Sequence, residues 1–194
     1  MLKIIISNFL TMVNDLGKWM DGIGQDFFKK NLDIKSGQKI LDFGCGWGSN
    51  AIVISKIVAP DGYVYAFEKD RDSISKMLSM VDKKSKKNLK VILAEEKSRT
   101  PIPDSELDIV LLYDVIHDPY FDCLERKILF REMNRIIKKR GMLSIFPHHI
   151  SSDEIEIIKK EISNAGFEFS NKITSTIIHD SVLILDSVYN FYKN

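Results

Sequence analysis

One stretch of the sequence limits the choice of fold more than any other, the run from residue 40 to residue 48. Apolar residues there lead into Asp42 and then into Gly44, Gly46 and Gly48, three glycines spaced two apart. Glycine allows a positive φ and lets a ligand approach the main chain closely. The N-terminus of a helix that follows such a turn also offers unpaired N–H groups. We therefore predict a strand that runs into a cofactor-binding turn.

The composition is that of an ordinary soluble globular protein. The chain has 194 residues, enough for one sizeable core, with 44% hydrophobic residues, 28% charged residues and a net charge of +1. A net charge this small gives no overall field to attract nucleic acid or an anionic membrane. Cys45 and Cys123 form neither a disulfide framework nor a metal-binding spacing, so we expect free thiols in a reducing, cytoplasmic setting.

The N-terminal segment is rich in apolar residues, but charged residues interrupt them and no small-residue cleavage site follows. We therefore expect neither a signal peptide nor a spanning helix. The apolar spacing instead predicts an amphipathic helix from Ile5 to Trp19, a break at residues 21–24 and a short helix over residues 25–32. Residues 35–194 are predicted to form the domain. Residues 1–34 are predicted to pack on it as a helical segment, which could also cover the domain's pocket as a lid.

Strand and helix patterns alternate along the rest of the chain. This order indicates a doubly wound α/β sheet with one core. After the first strand, the predicted strands cover residues 63–67, 89–93, 108–113, 141–146, 167–173 and 182–189, and the predicted helices cover residues 49–58, 71–81, 123–138 and 153–164.

The glycine turn by itself leaves two cofactors open. Dinucleotide enzymes carry G-x-G-x-x-G/A, in which the third small residue packs the helix against the strand under a pyrophosphate. Here the third glycine, Gly48, comes one position early, and Ser49 occupies the expected place. The choice therefore depends on residues downstream.

Those downstream residues resemble the class I S-adenosylmethionine-dependent methyltransferases. The family's first motif is an acidic residue followed by alternating glycines, as in residues 42–48, and its second strand ends in an acidic residue, as at Glu68. Residues 100–108 are similar to its L-P-F-P-D-x-x-F-D segment, which dinucleotide enzymes lack. The resemblance covers roughly residues 36–190 and most resembles the small, cap-free branch with the ubiquinone and menaquinone methyltransferases. It implies a Rossmann-like three-layer sandwich with a seven-stranded, mostly parallel sheet whose last strand is antiparallel.

The resemblance also implies roles for individual residues toward S-adenosylmethionine. Glu68 would accept hydrogen bonds from both ribose hydroxyls, because a carboxylate can bind a cis-diol with both oxygens. Glu96 would accept from the adenine amino group, although the neighbouring Glu95 is an alternative, and Lys97 would supply a backbone N–H. The full set of predicted cofactor-binding residues is Asp42, Gly44, Cys45, Gly46, Gly48, Glu68, Lys69, Glu96, Lys97 and Asp114.

The acceptor is expected near the residues that follow the fourth and fifth strands, because ligands of open α/β sheets lie outside the carboxyl ends of the strands. Asp114 and His117 follow one strand and His148 and His149 the other. We predict His117 and Asp114 as catalytic residues; a neutral imidazole there could act as a base or a metal ligand. Because the sulfonium methyl group is already activated, no metal is required and none is predicted.

The predicted activity is methyl transfer from S-adenosylmethionine to a small molecule by direct in-line displacement, with S-adenosylhomocysteine as product. The alternatives are an NAD(P)-dependent oxidoreductase and a non-catalytic S-adenosylmethionine-binding partner subunit. Residues 118–120 resemble the D-P-P-Y motif of DNA amino-methyltransferases but lack one proline and lie four positions late. Without a recognition domain or a basic stripe, nucleic acid is disfavoured as acceptor. The acceptor is not identified, and a homodimer is one option for the quaternary structure.

Overall fold

A computed structural model describes the backbone of residues 2–194 and the side chains from Leu10 onward. One seven-stranded sheet organises this part of the chain, with strand order β3-β2-β1-β4-β5-β7-β6. Strands β1 to β5 are parallel, whereas β7 is antiparallel to both β5 and β6. The strands are β1 Lys39–Phe43, β2 Tyr63–Glu68, β3 Leu89–Leu93, β4 Leu107–Tyr113, β5 Ile137–Phe146, β6 Phe167–His179 and β7 Val182–Lys193.

Helices cover both faces of the sheet, which gives the three-layer sandwich that the sequence predicts. The core is accordingly divided into two apolar clusters. One contains α3 with the N-terminal helices, and the other contains α5 with α6. The helices are α1 Leu2–Lys18, α2 Gly24–Asn31, α3 Ser49–Val58, α4 Arg71–Met80, α5 Cys123–Ile136 and α6 Ser152–Asn164. The predicted fold class is confirmed.

Local sequence signals explain where several of these elements begin. Strand β4 is buried along almost its whole length, as expected of a parallel strand covered on both faces. Helix α5 starts with a capping box, in which Asp122 accepts hydrogen bonds from the backbone N–H of Leu124 and Glu125 and the Glu125 carboxylate accepts from the Asp122 N–H. This cap fixes the start of α5 just after the loop that follows β4.

The N-terminal segment differs from the prediction at residues 21–24. The backbone stays helical there through a π-helical turn, Trp19–Ile23, and the Gly24 N–H donates to the Trp19 carbonyl. A Cβ atom at Gly24 would lie 2.8 Å from Cε2 of the fully buried Trp19 ring. The glycine thus makes room for the indole and does not end the helix.

The last two strands are longer than predicted. They form a hairpin whose two-residue turn, Asp180 and Ser181, has positive φ at both positions (45° and 66°), as in the hairpin turns that match strand twist. The tip of this hairpin therefore reaches the edge of the sheet where the parallel strands end. Strand β5 also begins earlier than predicted, at Ile137, and α5 ends at Ile136.

No helix among the described residues combines the length and apolar character needed to cross a membrane.

Candidate active site

A cavity of about 1050 Å³ opens at the carboxyl ends of the parallel strands. It runs from the glycine turn after β1, past Glu68 at the end of β2, to Asp114 at the end of β4. The tip of the β6–β7 hairpin contributes His179, and α1 contributes Met12 and Leu16. This volume lies at the upper end of the range of small-molecule sites, roughly 300 to 1000 Å³. The cavity therefore has room for more than a single small ligand.

The glycine turn brings the main chain to the cavity wall. A Cβ atom at Gly46 would meet no other atom within 4 Å, so the turn leaves open space there for a ligand to approach. Gly48 has a different role, because a Cβ atom at that position would overlap the side chain of Met77 and its φ is +79°. Glycine at position 48 thus allows the start of α3 to pack against α4.

Glu68 connects the turn to β2 through its carboxylate. Its Oε2 accepts a hydrogen bond from the Gly46 N–H at 2.9 Å, and its Oε1 accepts from the N–H groups of Lys69 and Asp70 at 2.8 and 2.9 Å. A carboxylate has about four lone-pair positions. Three are used within the chain, so a ribose hydroxyl finds one remaining acceptor position, and a contact through both carboxylate oxygens requires release of a backbone N–H.

Asp42 lies behind the glycine turn rather than in the cavity wall. Its carboxylate accepts a hydrogen bond from the backbone N–H of Ala51 in α3, and its Oδ2 is buried without a hydrogen-bond partner in the described part of the chain. Burial raises the pKa of Asp42 to about 7. Burial also raises the pKa of the neighbouring Cys45 thiol well above its usual value. Cys45 thus supports the turn as a neutral thiol, whereas Asp42 changes from its neutral to its charged form near neutral pH.

Two adjacent carboxylates follow β3 at the cavity. Glu95 and Glu96 both line it and both are exposed, so the structure leaves both available for an adenine amino group. The Lys97 ammonium group lies 2.6 Å from both carboxylate oxygens of Glu125 and is thereby held toward the start of α5. The Lys97 side chain is thus engaged with Glu125, and it is the backbone N–H of Lys97 that stays available to a ligand.

At the other end of the cavity, Asp114 is surrounded by histidines. Its Oδ2 lies 3.4 Å from Nδ1 of His179 and 3.7 Å from Nε2 of His149, and its Oδ1 lies 3.5 Å from Nδ1 of His117. Asp114 has φ = +57°, a conformation uncommon outside glycine, and its N–H donates to the Phe146 carbonyl. A strained backbone at a strand end is typical of functional sites.

His148 completes this cluster. Its ring centroid lies 4.1 Å from that of His179 and 4.8 Å from that of His149, and its Nδ1 lies 2.7 Å from Oδ2 of Asp186. Burial raises the pKa of Asp114 against the opposing effect of the surrounding imidazoles, and burial lowers the pKa of His179. The His179 imidazole is therefore favoured in its neutral form.

The structure brings most of the sequence-predicted site residues to the cavity wall. Asp42, Gly48 and His117 lie outside that wall, the first two supporting the turn and the third contacting Asp114 from behind. The predicted residues that line it are Gly44, Cys45, Gly46, Glu68, Lys69, Glu96, Lys97 and Asp114.

Sequence reasoning missed His179. The predicted strand ends at residue 173, although four of the five residues 174–178 are β-branched and favour a continued strand. Extending the strand would have placed His179 at a two-residue turn, yet its approach to Asp114 depends on how the hairpin packs. The same limit applies to Met12 and Leu16, since the apolar spacing of α1 does not specify its position.

Comparison with known proteins agrees with this architecture. A family model described as a methyltransferase domain matches residues 34–186. The chain belongs to this methyltransferase family. The assignment made from the glycine turn, Glu68 and residues 100–108 is thereby confirmed at the level of the family.

Two curated relatives and one solved structure illustrate how far the likeness extends. The chain is 30% identical over 115 residues to a demethylmenaquinone methyltransferase of Staphylococcus carnosus, covering 58% of this chain and 44% of that protein. It is 24% identical over 167 residues to an arsenite methyltransferase of Halobacterium salinarum, covering 76% and 41%. The matches thus span less than half the length of these relatives. A SAM-dependent methyltransferase from Aquifex aeolicus has a similar fold, with a TM-score of 0.67 at 21% identity over 92% of this chain and 96% of that one.

Proposed function

We propose that this methyltransferase transfers the methyl group of S-adenosylmethionine to a small-molecule acceptor by direct in-line displacement and releases S-adenosylhomocysteine. The observation that carries this proposal is one continuous cavity. The glycine turn and Glu68 lie at one end of it, and Asp114 and His179 lie at the other. The arrangement can hold a donor and an acceptor end to end. Family membership favours S-adenosylmethionine over a nicotinamide cofactor.

The residues at the first end fit a nucleoside cofactor. The open space beside Gly46 allows close approach to the main chain, and Glu68 retains acceptor capacity for a ribose hydroxyl. Glu95 and Glu96 provide two acceptors for an exocyclic amine, and our choice between them stays with Glu96. When bound, the cofactor supplies an activated sulfonium methyl group. The chain then has to hold a nucleophile in line with it.

Asp114 and His179 form the wall nearest the acceptor in this proposal. The Asp114 carboxylate can attract the positive charge of the cofactor, and His179 in its neutral form can accept a hydrogen bond from an acceptor S–H or O–H group. A base is needed only if the acceptor is protonated at the working pH. His117, the first choice from the sequence, has no contact with the acceptor in this proposal: it lies outside the cavity wall, with its Nδ1 3.5 Å from Oδ1 of Asp114.

We also propose that residues 1–34 cover the acceptor end of the cavity. Met12 and Leu16 line it, and Asp15 on the same helix accepts a hydrogen bond from the Leu183 N–H at 3.2 Å next to the hairpin tip. A covering helix excludes water from the reacting atoms. Its apolar side chains favour an acceptor that is partly hydrophobic.

Calorimetric titration of the purified chain with S-adenosylmethionine, S-adenosylhomocysteine and NAD tests the proposal. We expect saturable binding of the first two and none of NAD. Trp47 lines the cavity while Trp19 is fully buried away from it, so fluorescence quenched by S-adenosylhomocysteine in the wild type but not in Trp47→Phe would place binding in this cavity. Binding of NAD without S-adenosylmethionine would overturn the proposal.

The partner-subunit alternative is tested by turnover. Release of S-adenosylhomocysteine during incubation with fractionated small-molecule extracts supports the enzyme. Tight S-adenosylmethionine binding without turnover in any fraction favours the non-catalytic alternative.

A further inference from the structure

The chain has four histidines, and all four lie in the cluster around Asp114. They come from three separate places in the sequence: the loop after β4, the loop after β5 and the tip of the β6–β7 hairpin. Three of them lie within 3.7 Å of a carboxylate oxygen of Asp114, and His148 lies 2.7 Å from one of Asp186. The single negative charge of Asp114 can balance only one imidazolium, and protonating one imidazole disfavours protonating the next. A common ligand accounts for their convergence.

We propose that His148, His149 and His179 bind one first-row transition-metal ion, and that Zn²⁺ suits them best. Each of these residues offers a ligand nitrogen, and these atoms lie within 4.8 Å of one another. Neutral imidazole is a good ligand for zinc and its neighbours in the periodic table. Three histidines are also a known ligand set of zinc sites that keep a fourth position open. This inference departs from the expectation, drawn from the sequence, that the site holds no metal.

The surroundings of two of these imidazoles favour coordination. Nδ1 of His148 lies 2.7 Å from Oδ2 of Asp186, whose other oxygen accepts from the Ser187 N–H at 2.7 Å. Histidines that bind metals usually donate their other ring N–H to a carboxylate, which fixes the tautomer and the ring orientation. His179 has a similar neighbour, since its Nδ1 lies 3.4 Å from Oδ2 of Asp114. In His148 this leaves Nε2 for the metal. Nε2 of His179 also lies 3.6 Å from Oδ2 of Asp180, an 89% exposed side chain that a metal ion would have to displace.

Two buried atoms next to the three histidines lack hydrogen bonds. Oδ1 of Asp114 and Nδ1 of His117 lie 3.5 Å apart and, among the described residues, neither has a hydrogen-bond partner. Such groups in native structures usually satisfy an ion or a water molecule. A cation beside Asp114 would offset the charge of its carboxylate. Asp114, His117 and His149 form a second ligand set, but only the three-histidine set has Asp186 to orient one of its members.

The metal would act on the acceptor, a role that rests on the proposed function. With the metal bound, its open coordination position would take the place of the hydrogen bond from the acceptor to His179. His179 lines the cavity, so an open coordination position beside it would face the acceptor end. A thiol or hydroxyl acceptor bound there would lose its proton to solvent more readily, because a metal lowers the pKa of a bound ligand. Its lone pair would then form the new bond to the methyl carbon. The bond from that carbon to sulfur would break, and its electron pair would remain on the sulfur of S-adenosylhomocysteine.

Metal binding is measured directly on the 194-residue chain without a histidine tag. The protein is treated with a chelator, dialysed and titrated with ZnCl₂ in the calorimeter, and elemental analysis gives the metal content per chain. We expect one Zn²⁺ per chain. Thermal unfolding with and without Zn²⁺ provides a second readout, because a ligand that binds only the folded state raises the melting temperature. No stoichiometric binding at micromolar Zn²⁺ overturns the inference.

Variants identify the ligands. His148→Ala and His179→Ala should each lose tight Zn²⁺ binding, and Asp186→Asn, which changes only the orienting carboxylate, should weaken it by roughly 10 to 100-fold. Cys123→Ser is the control for thiol binding and should retain wild-type affinity. Circular dichroism of each variant without metal checks that it is folded.

The outcome with His117→Ala distinguishes the two ligand sets. Retained binding in this variant supports the three-histidine site, whereas its loss together with retained binding in His148→Ala would overturn that ligand assignment. The inference and the proposed function fail separately. Zn²⁺ binding without S-adenosylmethionine binding refutes the function alone, and the reverse result refutes the metal site alone.

Discussion

Replacing Glu68 with glutamine should affect both stability and cofactor binding. The wild-type carboxylate accepts three backbone N–H groups, from Gly46, Lys69 and Asp70. The amide of Glu68→Gln has only one acceptor oxygen. If that oxygen takes the place of Oε1, the Gly46 N–H faces the NH₂ group; if it takes the place of Oε2, the N–H groups of Lys69 and Asp70 do. Losing one hydrogen bond to a charged group lowers the free energy of unfolding by about 1.5 to 3 kcal/mol. For a chain of this size the melting temperature should fall by roughly 4 to 10 °C.

The affinity for cofactor should fall as well if Glu68 contacts the ribose. Loss of one charge-assisted hydrogen bond corresponds to about 10 to 100-fold weaker binding. Thermal unfolding followed by circular dichroism measures the first effect, and calorimetric titration with S-adenosylhomocysteine measures the second. Glu156→Gln is the matched control, because the Glu156 side chain is 62% exposed on α6 and, within the described part of the chain, pairs at the surface with Lys159 alone. Its melting temperature and affinity should stay near the wild-type values.

The two measurements on Glu68→Gln have separate consequences. A lower melting temperature with unchanged affinity would remove Glu68 from the ribose role and leave it as a support of the glycine turn. An unchanged melting temperature would contradict the hydrogen-bond argument itself.

Three further predictions concern glycines and a buried acid. Gly48→Ala should destabilise the chain by about 2 to 3 kcal/mol, whereas Gly37→Ala, with a similar φ but no atom within 4 Å of the added Cβ, should cost only about 1 kcal/mol in urea unfolding. Gly24→Ala should lower the melting temperature by several degrees through overlap with the indole, and Gly22→Ala in the same turn, where the Cβ meets nothing, should leave it unchanged or raise it. Because the pKa of Asp42 is raised to about 7 in the folded chain, stability from its protonated form is present below about pH 4 and is lost by about pH 7. From pH 5 to 7 the free energy of unfolding of the wild type, measured with urea, should therefore fall relative to that of Asp42→Asn, by at most about 1.4 kcal/mol per pH unit. A difference between the two proteins that does not change with pH would contradict the assigned pKa.

The parallel part of the sheet could be predicted because its signals are local. The apolar run before Asp42 and the buried run of β4 each read as strands, and α3 has the predicted bounds of residues 49–58. Glycines were less informative at residues 21–24. A glycine that ends a helix and one that makes room for a ring across a π-helical turn are the same letter in the sequence. Only the packing of Trp19 distinguishes them.

The cavity wall around the glycine turn, Glu68 and Glu96 could be predicted from the sequence, because these residues lie in motifs with fixed spacing. The wall around Asp114 could be predicted only in part. Asp114, His148 and His149 follow predicted strands, but His179 arrives through a hairpin whose length and packing were not predicted. The pairing of His148 with Asp186 joins residues 38 positions apart and depends on the same packing.

A crystal structure with S-adenosylhomocysteine bound would show directly where donor and acceptor lie. We expect the ribose to contact Glu68 and the sulfur to face the part of the cavity bounded by Asp114 and His179, with free space between the sulfur and these two residues for an acceptor. A ligand bound elsewhere, or bound in the cavity with its sulfur directed away from Asp114, would contradict this expectation.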